Sequence, residues 1–386
     1  MGAVGDVFSE LIGQDRVVAT LRRAVAGGSH AMTHAWLFVG PPGSGRSNAA
    51  RAFAAALQCD RGGCGQCEAC RTTVSGAHPD VTLVRTEQLS IGVDEVRAMV
   101  GRAGVAPVGR RYQIVVVEDA DRMTERAADA LLKALEEPSP RTVWLLCAPT
   151  PDDVIVTIRS RCRLARLVTP SAEAVAELLV RRDGVDPERA EQAARIAQGH
   201  VGRARALARS DDANSRRRDI LSVPPRLRTL TDCLEAAGRQ VDAAAAEATE
   251  ITAPLDAKET AALQEALGMG GRGTKPRNAQ AALRELEDQQ KLRLKRLQRD
   301  ALDRVLTELT SYFRDVLAVQ TGAGAPLINA DFAEEIERLA EQSTPEHTVR
   351  AIDALLEART ALEGNVAPLL ALEAMFIAVS RAVRRS

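Results

Sequence analysis

Short apolar runs alternate with helical spacing over the first 167 residues. The runs are Ala35–Val39, Val81–Val84, Gln113–Val117, Val143–Cys147 and Leu164–Val168. Runs of this length, bounded by turn residues and separated by helices, predict a parallel α/β sheet buried on both faces. From Pro170 the pattern changes to short helices. Ser171 stands as a cap, Val175, Leu178 and Leu179 share a face, and the spacing continues through Ala193, Ile196 and Ala197 to Leu207. Beyond Ser210 the chain is rich in Ala, Leu, Arg and Glu. There Leu297, Leu302, Val305, Leu306, Leu309, Phe313, Val316 and Leu317 form one helical stripe, expected to face a core. Gly268 to Pro276 predicts a flexible loop between long helices, and Gly322 to Pro326 a shorter break.

The first predicted strand runs into Gly40-Pro41-Pro42-Gly43-Ser44-Gly45-Arg46-Ser47. This is the phosphate-cradling loop: Gly40, Gly43 and Gly45 let backbone N–H groups turn around a polyphosphate at a helix N-terminus, and Ser47 would place its hydroxyl on Mg²⁺. Arg46 occupies the position where the motif has lysine, and its planar fork fills a different volume from a compact ammonium. Nucleotide binding remains compatible with this loop; productive ATP turnover with Mg²⁺ is not expected.

Cys59, Cys64, Cys67 and Cys70 are spaced to surround one tetrahedral ion, with Gly62, Gly63 and Gly65 supplying the turns. Zinc is the expected occupant, in a structural role because four thiolates leave no open position. An iron–sulfur cluster is the lesser alternative. Cys147, Cys162 and Cys233 read as core residues.

Ile114-Val115-Val116-Val117 ends in Glu118-Asp119. A P-loop ATPase needs an Asp at such a strand tip to hold Mg²⁺ and a Glu beside it for the attacking water, and here the order is reversed. The alternative, that two acids cap a strand and start a helix, stays open. Ser160-Arg161-Cys162 follows the fourth strand and a polar turn. An exposed arginine there can reach out of its own subunit toward a neighbour's γ-phosphate.

The 386 residues allow two or three domains. Lys plus Arg total 51 against 52 for Asp plus Glu, and aromatics are 3%, so the chain as a whole has neither the charge nor the stacking platforms of a strong nucleic-acid binder. The clusters Arg216-Arg217-Arg218 and Lys291 to Arg296 read as solvated helix faces. No long apolar run or secretion leader is visible, so a cytoplasmic location without membrane contact is expected.

Phe8 with Leu11-Ile12-Gly13-Gln14, Thr33 to Phe38, the glycine loop, the four cysteines, Leu131-Leu132-Lys133-Ala134-Leu135-Glu136-Glu137-Pro138, Ser160-Arg161-Cys162 and Gly199-His200-Val201-Gly202-Arg203 occur in this order. Over roughly the first 210 residues the chain thereby resembles bacterial clamp-loader subunits of the AAA+ class, and Asn365 to Glu373 resembles their helical collar. Within that family, altered nucleotide motifs beside an intact Ser-Arg-Cys are similar to the delta-prime type of the DNA polymerase III holoenzyme.

The resemblance implies an AAA+ P-loop domain at 1–168 carrying the zinc module at 59–70, a helical lid at 169–210 and an all-α collar at 211–386. It implies a stator in a hetero-pentamer with gamma/tau and delta subunits, acting on a sliding clamp and primed DNA, with Arg161 working in trans on a neighbour's ATP. It places Arg203 as the lid's second sensor and the first sensor near Pro149, which has no N–H with which to position water. Two competing readings are a gamma/tau-like motor ATPase and a zinc-containing nucleic-acid-binding protein whose P-loop is vestigial.

Overall fold

The structure is a computed structural model that describes residues 6–27, 31–86, 90–109, 111–267 and 279–383. The expected loop Gly268 to Pro276 lies outside the described residues. The chain divides into two compact units, Met1–Arg209 and Ser210–Ser386.

In the first unit the strands are β1 (Ala35–Val39), β2 (Val81–Val84), β3 (Gln113–Val117), β4 (Thr142–Ala148) and β5 (Arg163–Arg166). They form one parallel sheet in the order β2-β3-β4-β1-β5. The helices are α1 (Asp15–Val25), α2 (Arg46–Gln58), α3 (Glu68–Ser75), α4 (Val93–Ala103), α5 (Glu125–Glu136) and α6 (Val156–Arg159), followed by α7 (Ala172–Asp183), α8 (Pro187–Ala197) and α9 (Val201–Arg209).

Burial on both faces is what the uninterrupted apolar runs predict. Trp36, Phe38, Ile114, Val116, Leu145 and Cys147 pack with Leu21 of α1 and Phe53 of α2. The alternate residues Leu37, Val115, Val117, Trp144 and Leu146 pack with Met99 of α4 and Leu131 of α5. Because β1 lies inside the sheet between β4 and β5, its carboxyl end and the loop after it are held from both sides. Helices α7 to α9 begin as expected: Ser171 Oγ accepts from Ala174 N at 3.2 Å, and Val175, Leu178 and Leu179 are buried. β5 is shorter than Leu164–Val168, although Leu167 N still donates to Val39 O at 2.7 Å.

The second unit is helical: α10 (Asp211–Leu221), α11 (Leu230–Ala266), α12 (Ala279–Gln320), α13 (Ala333–Gln342), α14 (Pro345–Glu363) and α15 (Pro368–Val383). The stripe on α12 faces the core, with Leu302, Val305, Leu306, Leu309, Phe313 and Val316 buried. Its other side is buried too, since Glu308, Ser311 and Asp315 are enclosed.

The solvated-face expectation is corrected at one residue of each basic cluster, Arg217 and Arg293, while Arg218, Lys291 and Lys295 are exposed. Arg217 is 3% exposed; Nη1 donates to Asp331 Oδ2 at 2.6 Å, Nη2 donates to Asn329 Oδ1 at 2.6 Å, and Glu308 lies 3.6 Å from Nε. Asp315 in turn accepts from the backbone N–H groups of Ile328 and Asn329. Arg293 is likewise enclosed, donating to Asp256 Oδ1 at 2.6 Å and to Glu259 Oε2 at 2.5 Å across the α11–α12 pair. Arg304 pairs with Glu247 and Lys291 with Asp288. Arg217→Ala would strand the buried Glu308, and an uncompensated buried charge costs about 3 kcal/mol; a lower urea midpoint with unchanged m-value is the expected result. No helix among the described residues is long and apolar enough to cross a membrane.

Candidate functional site

The glycine loop closes over the start of α2. Gly43 and Gly45 have φ of 82° and 88°, left-handed values that favour glycine. A Cβ at Gly43 would lie 2.6 Å from His200 Cα, so the loop's tip abuts the entry to α9 with no room for a side chain. Gln14 ties the loop to the end of the sheet: its Nε2 donates to Val168 O at 2.7 Å and its Oε1 accepts from Val168 N at 3.0 Å. A cleft of about 280 Å³ lies here, lined among others by Leu11, Ile12, Gly45, Ser47, Leu178 and Arg205. Apolar walls on one side and a glycine loop with a helix N-terminus on the other suit a nucleotide's base and phosphates.

The residues that should handle phosphate and metal are otherwise engaged. Arg46 turns its guanidinium back onto Gly40 O, the first carbonyl of its own loop. Gly40 N donates to Pro149 O at 3.1 Å, so two altered positions meet at one residue. Glu118 Oε1 accepts from Arg51 Nε at 2.7 Å and lies 2.5 Å from Arg51 Nη2. A cation at Glu118 would have to displace this two-pronged guanidinium, which already supplies positive charge there. At Glu118, therefore, the place expected for the metal is already taken by positive charge. Asp119 follows at the start of the turn Ala120–Arg122. Its charge adds to burial in holding the Asp121 carboxyl above the usual range.

The lid-type helices bring two arginines to the cleft. Arg182 and Arg205 line it, whereas Arg203 is not among the lining residues. Arg203 N donates to His200 Nδ1 at 3.2 Å, so this imidazole caps α9. Burial, with the charges of Arg203 and Arg46, lowers the His200 pKa. Arg205 is held by Asp183 at 2.7 Å and Arg182 by Glu10 at 2.5 Å.

Arg161 lies away from this cleft, between α6 and β5. Its Nη2 donates to Glu136 Oε1 at 2.5 Å and its Nη1 to Thr157 O at 2.8 Å, and the pair is half-exposed. Ile155 and Val156 beside it are exposed apolar residues. Burial pushes the neighbouring Cys162 thiol up to about 12, so it stays neutral.

The four cysteines converge. Their sulfurs all lie within 4.8 Å of one another, with Cys59 Sγ 3.7 Å from Cys64 Sγ and 3.6 Å from Cys67 Sγ. A tetrahedral shell with Zn–S bonds of about 2.3 Å has sulfur–sulfur edges of about 3.8 Å, so the set fits zinc. Backbone N–H groups point at the sulfurs, from Arg61 and Cys64 to Cys59, from Cys67 to Cys64 and from Cys70 to Cys67. Burial raises the Cys59 pKa, but the N–H groups of Cys64, Gly63 and Arg61 outweigh it and bring it to about 6. The N–H groups of Gln66 and Cys67 lower Cys64, while burial raises Cys70.

Comparison with known proteins places this arrangement. The family model described as DNA polymerase III, delta subunit, matches residues 13–171, and that for the C-terminal part of the delta subunit matches residues 282–380. The DNA polymerase III subunit delta′ of Bacillus subtilis is 28% identical over 356 residues, covering 92% of each chain. The chain belongs to the DNA polymerase III delta-prime family. Delta′ of Pseudomonas aeruginosa is 41% identical over 162 residues, 40% of this chain and 49% of that one. Subunit gamma/tau of Mycobacterium tuberculosis is 37% identical over 159 residues, 40% of this chain. The chain spans about a quarter of the gamma/tau relative's length (27%) and about half of the Pseudomonas delta′ (49%).

Arg51 and Glu136 were absent from the sequence-derived site. Arg51 stands on the same helix as Arg46, yet only the fold shows that it meets Glu118 at the end of β3.

Proposed function

We propose that this chain is the stator of a DNA polymerase III clamp loader. It presents Arg161 to ATP held by an adjacent gamma/tau subunit while its own P-loop stays idle. The observation that carries this reading is the contrast between two sites. Arg161 is displayed on a half-exposed edge beside the apolar Ile155 and Val156, whereas Arg46 and Glu118 are turned into contacts within their own unit.

In the proposed assembly the guanidinium of Arg161 donates to oxygens of the neighbour's γ-phosphoryl group, where negative charge grows as the bond to the leaving oxygen stretches. The positive charge and fixed fork of Arg161 stabilise that state more than the ground state, which is what raises the rate. Residues 169–210 act as the lid and 211–386 as the collar through which a hetero-pentamer with gamma/tau and delta forms. The sliding clamp and primed DNA are met through the assembly. Zinc at Cys59, Cys64, Cys67 and Cys70 is structural, fixing the turn between α2 and α3.

The test is to mix the purified chain with gamma/tau and delta subunits and measure assembly and hydrolysis together. Assembly with hydrolysis that depends on Arg161 supports the reading; hydrolysis indifferent to this chain removes it. The motor reading draws support from the gamma/tau likeness in the first unit. It makes a separate prediction: Arg46→Lys should restore turnover if lysine alone is missing. We expect no phosphate release from Arg46→Lys, because Glu118 stays paired to Arg51 and Pro149 still cannot donate. Phosphate release above background from that variant would favour the motor.

A further inference from the structure

We infer that Glu136 is the positioning residue that aims Arg161 outward, an inference that rests on the trans-arginine reading above. An arginine on a surface turn would ordinarily sample many rotamers, and an unaligned donor gives little to a transition state. Here two elements hold the fork. Thr157 O in α6 takes Nη1 at 2.8 Å, with Ser160 Oγ at 3.4 Å, and Glu136 Oε1 at the end of α5 takes Nη2 at 2.5 Å.

The carboxylate itself stands on a fixed base. Thr124 caps α5 at one end, and Leu131 and Leu135 are buried beneath the sheet. At the other end His34 Nε2 lies 2.9 Å from Leu135 O, one residue before Glu136. The pair is half-exposed on both sides, 36% for Arg161 and 48% for Glu136. Ion pairs at that exposure add little to stability, so holding the fold together does not account for the contact. What it does is fix one edge of the guanidinium and leave its remaining N–H donors to meet an anion. The carboxylate selects a direction for the fork, and the neighbour's triphosphate is the group of matching charge.

The experiment compares steady-state kinetics of the reconstituted assembly carrying parental chain, Glu136→Ala, Glu136→Gln, Arg161→Ala and the Glu136→Ala/Arg161→Ala pair. Glu136→Ala should lower kcat on the order of 10-fold with KM for ATP little changed. Glu136→Gln keeps an accepting oxygen at the same reach and should recover to within about 3-fold of the parent. Added to Arg161→Ala, the alanine at 136 should cost nothing more, because it acts only through the arginine. Thermal unfolding and assembly of each variant are measured alongside. Parental kcat for Glu136→Ala, while Arg161→Ala is impaired, overturns the inference and leaves the trans-arginine reading standing. An equal loss from Glu136→Ala in both backgrounds marks a structural role and also overturns it. Parental kcat for Arg161→Ala removes both.

Discussion

Arg161→Ala lowers ATP hydrolysis by the reconstituted assembly on the order of 10³-fold, the cost of an absent arginine finger. The same substitution leaves the isolated chain folded. Its lost contacts are with Glu136, Thr157 and Ser160 at a half-exposed edge, and exposed pairs contribute about 1 kcal/mol or less. The two readouts therefore separate: a large loss in kcat with an unfolding midpoint close to the parent. Arg161→Lys should recover little, since an ammonium cannot keep Glu136 and Thr157 while also reaching a phosphate in two directions. Steady-state phosphate release and a urea titration on the same preparations check both halves. Loss of rate accompanied by loss of assembly would instead place Arg161 in the packing of the interface.

Cys64→Ser, or prolonged chelation, empties the four-sulfur site. Metal content should fall from about one zinc per chain to a small fraction of that, because a serine hydroxyl does not replace a thiolate in a closed shell. The structural consequence is local and strong. Backbone N–H groups of Arg61, Cys64, Cys67 and Cys70 point at sulfur, and without the ion nothing bonds the four sulfurs together to hold them in place as acceptors. Hydrogen exchange at these four amides should accelerate far more than at β1 or β4, whose amides are held in the sheet ladder. Inductively coupled plasma analysis and exchange mass spectrometry read the two effects. A parental chain that carries no zinc after expression with zinc present would remove the metal from the account.

Much of the first unit was legible because its signals are local. Five apolar runs became five strands, since a buried parallel strand is written in consecutive residues. The glycine loop and the cysteine spacing likewise specify their own backbone. The reversed acids at Glu118 and Asp119 were visible too, and so was the arginine at 46.

What escaped the sequence depends on partners distant in the chain. Glu118 meets Arg51 across 67 positions and Arg217 meets Asp331 across 114. Arg217 and Arg293 sat in runs that look like solvated faces, and nothing local distinguishes them from their exposed neighbours. Arg217 is enclosed beside Glu308, on the side of α12 that the apolar stripe leaves unmarked, and Arg293 is enclosed by Asp256 and Glu259 of α11. Arg182 and Arg205, which the sequence did not single out, line the cleft.

The measurement that bears most directly on the central claim is ATP hydrolysis by the purified chain alone in Mg²⁺, set beside the same chain mixed with gamma/tau and delta. The account predicts background phosphate release from the chain alone and release in the mixture that depends on Arg161. Sustained, magnesium-dependent turnover by the isolated chain, abolished by a change at Arg46 or Glu118, would contradict it.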